Sequence, residues 1–316
     1  NPFLFARNRG LITAVARDHG VNLIHARSRA PAWAARGAAR TLGLPFVTTF
    51  HGYYSHANVA KRYYNSIMTK GDRVIAISQF IAKHIRATYR VNDDRIVTIP
   101  RGVDSVVFDP AAVSAPRLAR LSKAWRLPDG VPVIMLPGRL TRWKGQRVLL
   151  EALPRLRHKE FVCVIVGGAG SHTRYARELE DLVSQRQLDR YVRFVDHETD
   201  MAAAYMLADV VVSASTDPEA FGRVTAEAQA MGRPVVATSH GGTMETVVPG
   251  ETGWLVPPSD PDLLALSIDQ ALDLDAGSRE ILARRARTHI LRNFSLHGMC
   301  AATLDVYRSL IFPKAR

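Results

Sequence analysis

The sequence lacks three features, each of which would define a class of protein. It has only two cysteines, Cys163 and Cys300, and their spacing fits neither a disulfide framework nor a zinc site. We expect both thiols to be buried. No apolar run reaches the ~20 residues of a membrane-spanning helix, and the start, Asn1-Pro2-Phe3-Leu4-Phe5, lacks the long apolar segment of a signal peptide. These absences predict a soluble, cytoplasmic chain.

Acidic residues are scarce in the first part of the chain, where no glutamate precedes Glu151. Residues 1–127 hold 20 Lys and Arg against six Asp, a net charge of +14, whereas the remaining 22 basic and 23 acidic residues give −1. A strongly basic half predicts an anionic partner, which could be a membrane surface, a phosphorylated glycolipid or nucleic acid. The alternative is a solvated basic surface without a partner.

Short β-branched runs alternate with longer helical stretches, the pattern of parallel sheets covered by helices. The predicted strands form two series, first 21–25, 45–50, 73–77 and 95–99, then 131–136, 161–166, 192–195, 210–212 and 234–237. A chain of 316 residues with 47% hydrophobic composition can bury two cores. We therefore predict an α/β fold with two doubly wound units.

The segment from Asp109 to Gly130 contains three prolines and a final Asp-Gly pair, which predicts the connection between the two units. We place a first domain at 1–127, a second at 128–294, and a terminal helix at 295–316 that packs back toward the first domain. Because a helical stretch stands directly before the first strand, we expect the first domain to lack its opening strand–helix material, roughly 30 residues or more.

The densest motif lies just past the predicted strand at 210–212 and contains Glu219, Gly222 and Glu227. A glycine where a helix begins lets backbone N–H groups approach a ligand, and the helix N-terminus favours a diphosphate through its unpaired donors and dipole. Glu219 precedes this helix and Glu227 lies about one and a half turns inside it, so both carboxylates can face one ligand and accept from sugar and ribose hydroxyls. The alternative is an amphipathic helix on which Glu227 is only solvated.

A second motif, from Gly138 to Gly145, follows the predicted strand at 131–136 and contains Arg139 and Lys144. Cations on a strand-to-helix loop can neutralise a nucleoside diphosphate that leaves as a glycosidic bond breaks. Taken alone, such basic loop residues more often face solvent.

Two further strand ends carry candidate ligands. His51 follows the strand at 45–50, at the end of an open parallel sheet where ligands usually bind. Gly167 and Gly168 follow the strand at 161–166, although the spacing of the glycines there does not fit a dinucleotide fingerprint.

These motifs resemble the signatures of retaining glycosyltransferase family 4, also called glycosyl transferases group 1. The pattern Glu-x-Phe-Gly-x-x-x-x-Glu-Ala begins at Glu219 and is followed by Gly-x-Pro-Val-Val-Ala, and the pattern Gly-Arg-Leu-x-x-x-Lys-Gly begins at Gly138. The resemblance covers nearly the whole chain, from His25 to the last helix. It implies a GT-B fold of two Rossmann-like domains facing a cleft, and transfer of a sugar from a nucleotide diphosphate-sugar to an acceptor with retention of anomeric configuration.

The resemblance also implies roles for individual residues. In the catalytic set, His51 lies near the donor sugar, Arg139 and Lys144 bind the diphosphate, and Glu219 contacts the sugar. The donor-binding set is Gly138, Gly167, Gly168, Phe221, Gly222, Arg223, Val224 and Glu227, the last on the ribose. We expect no metal, since no Asp-x-Asp stands at a strand end, and no cofactor other than a UDP- or GDP-linked donor substrate.

The acceptor is expected in the basic half, where His25, Arg27 and Arg29 follow a strand and precede Trp33. This region is similar to family members that assemble the lipopolysaccharide core. We therefore expect a glycolipid, lipopolysaccharide-precursor or other saccharide acceptor, and attachment to the anionic inner face of the cytoplasmic membrane.

Three other functions remain open on the sequence. An epimerase or phosphorylase of the same fold would act on the donor without this acceptor. A nucleic-acid-binding protein would use the +14 half, but backbone binding has no use for the paired carboxylates Glu219 and Glu227. A scaffold without activity is the third.

Overall fold

The computed structural model describes residues 2–54, 58–168 and 174–312, and gives an α/β chain with two parallel sheets. The contacts divide the chain into unit 1, residues 1–102 with 297–316, and unit 2, residues 103–296. The predicted α/β class with two sheets is confirmed.

The strands are short and lie where the sequence predicted them, with one addition at the end. They are β1 Ile24–Ala26, β2 Phe46–Phe50, β3 Arg73–Ala76, β4 Ile96–Thr98, β5 Val133–Pro137, β6 Val162–Val166, β7 Val192–Val195, β8 Val210–Ser213, β9 Val235–Thr238 and β10 Trp254–Val256. The helices are α1 Pro2–Asp18, α2 Arg29–Leu42, α3 Val59–Ser66, α4 Gln79–Tyr89, α5 Ala115–Trp125, α6 Gln146–Ala152, α7 Arg174–Gln185, α8 Met201–Leu207, α9 Arg223–Ala230, α10 Thr243–Thr246, α11 Pro261–Leu272, α12 Ala276–Asn293 and α13 Leu296–Ile311.

Unit 1 contains a parallel sheet whose strands follow chain order, β1-β2-β3-β4. One face is covered by the terminal helix α13, because Val306 packs against Val47, Ile75 and Ile99 in one buried cluster. This packing places the side chains of α13 beside the strands that end at the predicted acceptor residues.

Unit 2 contains a parallel sheet of order β10-β9-β8-β5-β6-β7, the order of a doubly wound fold in which the direction of winding reverses between β5 and β8. Its central strands β5, β6, β8 and β9 are buried along their whole length, and alternation along β5 shows that both faces are covered. Ile134 and Leu136 belong to one core cluster, and Val133 and Met135 belong to the other. Helices therefore cover both faces, which explains why the strands read as continuous apolar runs.

The contacts divide the chain between Gly102 and Val103, earlier than the predicted boundary near Leu127. The prolines of the segment 109–130 indicated a connection, but part of it forms α5. Leu121 and Trp125 of this helix are buried in the same cluster as Tyr205 of α8, which makes the helix part of unit 2.

The two cysteines differ in their surroundings. Cys163 is fully buried on β6, and burial raises the pKa of its thiol to about 12. Cys300 lies exposed on α13, so the expectation that it is buried was wrong. Helix α13 covers one face of the unit 1 sheet, but the side chain of Cys300 remains accessible to solvent. Across the part of the chain that the structure describes, no helix is both long and apolar enough to cross a membrane.

Candidate functional site

The motif residues of unit 2 meet at the carboxyl ends of β5 and β8, where the strand order reverses. Open α/β sheets bind ligands at this position, because the loops diverge there and leave a crevice. The loop 138–145 follows β5, and the segment 214–222 follows β8. Two motifs about 75 residues apart in sequence are thus neighbours, since Lys144 contacts Glu219.

The loop after β5 is held against the end of β8 by its backbone. The amide of Thr216 donates to the carbonyl of Trp143 at 2.8 Å. Gly145 adopts φ 72°, and a Cβ at this position would stand 1.8 Å from the carbonyl oxygen of Ala214. Only glycine permits this approach, which places Lys144 directly beside the following segment.

Lys144 and Glu219 form an ion pair in which Nζ lies 2.5 Å from Oε1. Both side chains are largely buried, with exposed fractions of 16% and 13%. The hydroxyl of Ser215, itself buried, donates to the same carboxylate oxygen at 2.8 Å. Together these contacts fix the Glu219 carboxylate at the edge of the crevice.

Helix α9 begins at the end of the same segment. Gly222 is its N-cap with φ 87°, and no side chain caps the first turn. The position of this turn is fixed by the loop after β9, because the amide of Gly242 donates to the carbonyl of Glu219 at 2.7 Å. Helix N-termini carry unpaired N–H groups and a partial positive charge, so this turn suits an anionic ligand.

Three predicted donor-binding residues in this turn present different groups. Phe221 is buried, and its ring meets Phe294 edge-on at 5.5 Å. Val224 packs against the core of unit 2. Their side chains therefore support the turn, and only their backbones can face a ligand. Arg223 is 71% exposed at the side chain, and its Nε lies 3.2 Å from Glu227 Oε1.

Glu227 lies on α9 with its side chain 14% exposed. Its Oε2 accepts a hydrogen bond from the hydroxyl of Tyr205 on α8 at 2.9 Å. The sequence motif identified Glu227 but not Tyr205 or Ser215, because these contacts depend on how α8 and the end of β8 pack.

The other predicted residues on this side lie at adjacent strand ends. Arg139 is exposed on the loop after β5. The amides of Gly138 and Gly167 donate to the carbonyls of Val166 and Val195 at 2.8 and 2.9 Å, so these two N–H groups already have partners. Gly168 is half-buried at the end of a described segment, and residues 169–173 lie outside the described residues.

Unit 1 contains its own pocket, of about 370 Å³, at the carboxyl ends of its strands. Four polar side chains with basic character line it, namely His25, Arg27, His51 and Arg101. The remaining wall is largely apolar, and α13 contributes Met299, Cys300, Thr303, Leu304 and Tyr307. Arg101 and the α13 residues were not among the predicted site residues.

His51 lies between two guanidinium groups. Arg27 Nε is 3.3 Å from its Nε2, and Arg101 Nη1 is 3.1 Å from its Nδ1. Burial, followed by the charges of Arg101, Arg27 and His25, lowers the pKa of His51 to about 4. The ring is therefore neutral at physiological pH, and since a neutral imidazole accepts at one nitrogen only, it can accept from one of these guanidinium groups at a time.

His25 is engaged within the fold. Its Nδ1 lies 2.6 Å from the hydroxyl of Tyr307, and its Nε2 lies 2.7 Å from that of Thr49. Burial, with a smaller contribution from Arg27, lowers the pKa of His25 to about 4. The two ring nitrogens of His25 contact hydroxyls on β2 and α13, and so connect these elements to β1. His25 therefore supports the wall of the pocket, and both of its nitrogens are already engaged.

Arg29 does not join this pocket. It donates to Asn65 Oδ1 at 2.8 Å, and its guanidinium carbon lies 4.3 Å from the centre of the Tyr54 ring. The structure therefore separates Arg29 from the other two predicted acceptor-side residues, His25 and Arg27.

Among residues 2–54, 58–168 and 174–312, no three His, Cys, Asp or Glu side chains gather as a metal site requires. The positive charge beside Glu219 comes from Lys144, with Arg139 on the same loop.

Comparison with known proteins places these two units in a family. The sequence model of glycosyl transferases group 1 matches residues 119–289, and that of Glycosyltransferase Family 4 matches residues 1–106. A Xylanimonas cellulosilytica protein named D-inositol 3-phosphate glycosyltransferase is 36% identical over 76% of this chain. The present chain spans 58% of the length of that relative.

Two solved structures show the same fold. A glycosyltransferase from Rickettsia africae is similar with a TM-score of 0.92 and 37% identity, covering 100% of this chain and 83% of its own. Anabaena HepE, solved in complex with UDP-glucose, is similar with a TM-score of 0.86 and 25% identity, covering 96% of this chain and 82% of its own. The predicted GT-B class is confirmed by these likenesses.

Proposed function

Because the chain belongs to the glycosyl transferases group 1 family, we propose that it is a retaining glycosyltransferase that moves a sugar from a nucleotide diphosphate-sugar to a phosphorylated acceptor. In this proposal unit 2 binds the donor and unit 1 binds the acceptor.

The observation that carries the proposal is the convergence of Lys144, Glu219 and the N-terminus of α9 at one strand edge. A cation and unpaired helix amides suit a diphosphate, and the adjacent carboxylate suits sugar hydroxyls. We propose that Lys144 and Arg139 stabilise the charge that develops on the leaving nucleoside diphosphate, that Glu219 orients the sugar, and that Glu227 accepts from the ribose.

We propose a UDP- or GDP-linked donor, with UDP-glucose as the first compound to test. The support for UDP is that Anabaena HepE, which is 25% identical to this chain, was solved with UDP-glucose. Since the cationic side chains can supply the charge on the diphosphate, we propose that transfer is independent of a divalent metal.

The pocket of unit 1 supports an acceptor that carries a phosphate. Arg27 and Arg101 offer guanidinium groups that match phosphate geometry, and the apolar wall from α13 suits a partly apolar molecule. The resemblance to enzymes of lipopolysaccharide core assembly favours a glycolipid or lipopolysaccharide precursor. The name of the Xylanimonas relative favours a phosphorylated polyol instead. Both acceptors share the phosphate chemistry, and a transfer assay with each class of acceptor distinguishes them. We propose that His51 contacts the donor sugar, the role that the family resemblance implies.

We further propose that the protein works in the cytoplasm, attached to anionic lipid through unit 1. Helix α3 exposes Tyr63 and Tyr64, 67% and 42% accessible, beside the exposed Lys61 and Arg62. Exposed aromatic rings with cations are suited to the interface between lipid headgroups and water, and the +14 of residues 1–127 adds long-range attraction.

The test is a transfer assay with purified protein, a panel of UDP- and GDP-sugars, and two acceptor sets, inositol phosphates and lipopolysaccharide-core precursors. We expect release of nucleoside diphosphate only when donor and acceptor are both present, and a product whose anomeric NMR coupling matches the donor. Conversion of donor without acceptor would instead identify an epimerase. A product of opposite configuration would refute retention.

A further inference from the structure

Tyr205 is a buried tyrosine whose only polar group points at the proposed donor site. Its side chain on α8 is fully buried among core residues of unit 2, and its ring centre lies 6.1 Å from that of Phe108. Its hydroxyl donates to Glu227 Oε2 at 2.9 Å. A residue in this position has one orientation, because the ring is packed on all sides.

Two of the groups that contact the Glu227 carboxylate differ sharply in how firmly they are held. Tyr205 holds Oε2 from the core, whereas Arg223, 71% exposed, lies 3.2 Å from Oε1. Burial, followed by the charge of Glu227, raises the pKa of Tyr205 well above its usual value, so the hydroxyl keeps its proton and remains a donor. A ligand can displace an exposed arginine side chain, but it cannot displace a packed core tyrosine.

We propose that Tyr205 is a positioning residue, which holds the Glu227 carboxylate so that its other oxygen accepts from the ribose of the donor. This inference rests on the function proposed above, in which Glu227 binds ribose. Without the Tyr205 hydroxyl, Glu227 Oε2 loses the donor that holds it from the core, and the carboxylate is less firmly fixed against the pull of Arg223 and solvent. The ribose then loses a preorganised partner.

The test compares Tyr205→Phe with Tyr191→Phe, a second tyrosine of unit 2 whose ring stacks on Phe161 at 4.8 Å and whose hydroxyl contacts Arg190. Both changes remove one hydroxyl and keep the ring. Calorimetric titrations use UDP, GDP and the matching 2′,3′-dideoxynucleoside diphosphates. Removing a hydrogen bond to a charged group changes an equilibrium constant by about tenfold or more.

We expect Tyr205→Phe to bind UDP or GDP at least about tenfold more weakly than wild type, and to bind the dideoxy compound as wild type does. The KM for the donor should rise while kcat stays unchanged, the pattern expected when a contact made equally in the ground state and the transition state is lost. Tyr191→Phe should behave as wild type in both measurements. A cooperative thermal transition well above the assay temperature would show that each variant is folded, although Tyr205→Phe should melt somewhat lower because it loses a buried hydrogen bond.

Two results would overturn the inference alone. Either wild type and Tyr205→Phe bind UDP or GDP equally, or the loss is the same for the dideoxy compound, which would indicate a general structural effect. If wild type binds no nucleoside diphosphate at all, the proposed function fails first, and the role of Tyr205 fails with it.

Discussion

Lys144 and Glu219 form an ion pair with 2.5 Å between Nζ and Oε1, although they belong to different motifs. The pair joins the loop after β5 to the segment after β8 at the point where the winding of the sheet reverses. A ligand that binds there meets a cation and a carboxylate already fixed in place.

Replacing either cation of the loop should reduce turnover while leaving a folded protein. We expect Lys144→Ala and Arg139→Ala each to lower kcat by roughly a hundredfold or more, the scale for one preorganised group that stabilises transition-state charge. The matched control is Arg142→Ala in the same loop, because the guanidinium of Arg142 lies 2.6 Å from Glu178 on the surface. Wild-type turnover in both test variants would remove these cations from the mechanism.

The two histidines of the unit 1 pocket should titrate far below the usual range. Burial and the nearby guanidinium groups lower the pKa of His51 to about 4, from an ordinary value of 6.5. In an NMR titration, with the signal assigned by its absence from His51→Asn, we expect a midpoint near 4. A midpoint near 6.5 would refute the buried, guanidinium-flanked environment.

The lowered pKa of His51 also makes the stability of the folded protein depend on pH. Between pH 6.5 and about 4 the unfolded chain binds a proton at His51 that the folded chain does not, so the free energy of unfolding falls as the pH is lowered through this range. We expect the melting temperature of His51→Asn to fall less than that of wild type between pH 7 and pH 5.

Turnover should be insensitive to a chelator. Because Lys144 and Arg139 supply positive charge beside the proposed diphosphate position, we expect equal rates with and without EDTA. EDTA saturated with Ca²⁺ controls for ionic strength. A rate that collapses in EDTA and returns with Mg²⁺ or Mn²⁺ would contradict metal independence.

Binding to lipid should be salt-sensitive and should depend on α3. We expect sedimentation with anionic vesicles but not neutral ones, and loss of binding at high salt, since attraction between exposed charges fades within a Debye length. Lys61→Glu/Arg62→Glu should weaken binding. The matched control is Arg284→Glu/Arg285→Glu, an adjacent exposed pair on α12 of unit 2. Equal recovery on both vesicle types would assign the basic surface to another role.

The fold was predictable largely because its central strands, β2, β5, β6, β8 and β9, are buried along their whole length. Parallel strands such as β5 and β6 read as uninterrupted apolar runs, and their predicted limits differ from the observed ones by one or two residues. Strand β10, Trp254–Val256, was not predicted as a strand. It is three residues long and only Val256 is buried, so it carries little pattern.

The site was predictable only as far as its motifs reach. Glu219, Glu227 and Lys144 stand in short patterns, whereas Ser215 and Tyr205 act through contacts that form only on folding. The same holds for Arg101, which reaches His51 from the end of β4. Position along the sequence cannot show which of the two nearby residues Arg27 and Arg29 lines the pocket. Arg27 does, whereas Arg29 contacts Asn65 and Tyr54.

The most direct test of the account is a calorimetric titration of UDP, GDP and their sugars into wild type, Glu227→Ala and Glu219→Ala. If unit 2 binds the donor as proposed, wild type binds either UDP or GDP, and Glu227→Ala binds the same compound much more weakly. Glu219→Ala should bind that compound as wild type does, but should show reduced sugar transfer in the transfer assay. Equal affinity for the nucleoside diphosphate in wild type and Glu227→Ala, or no binding of any compound to wild type, would contradict the account.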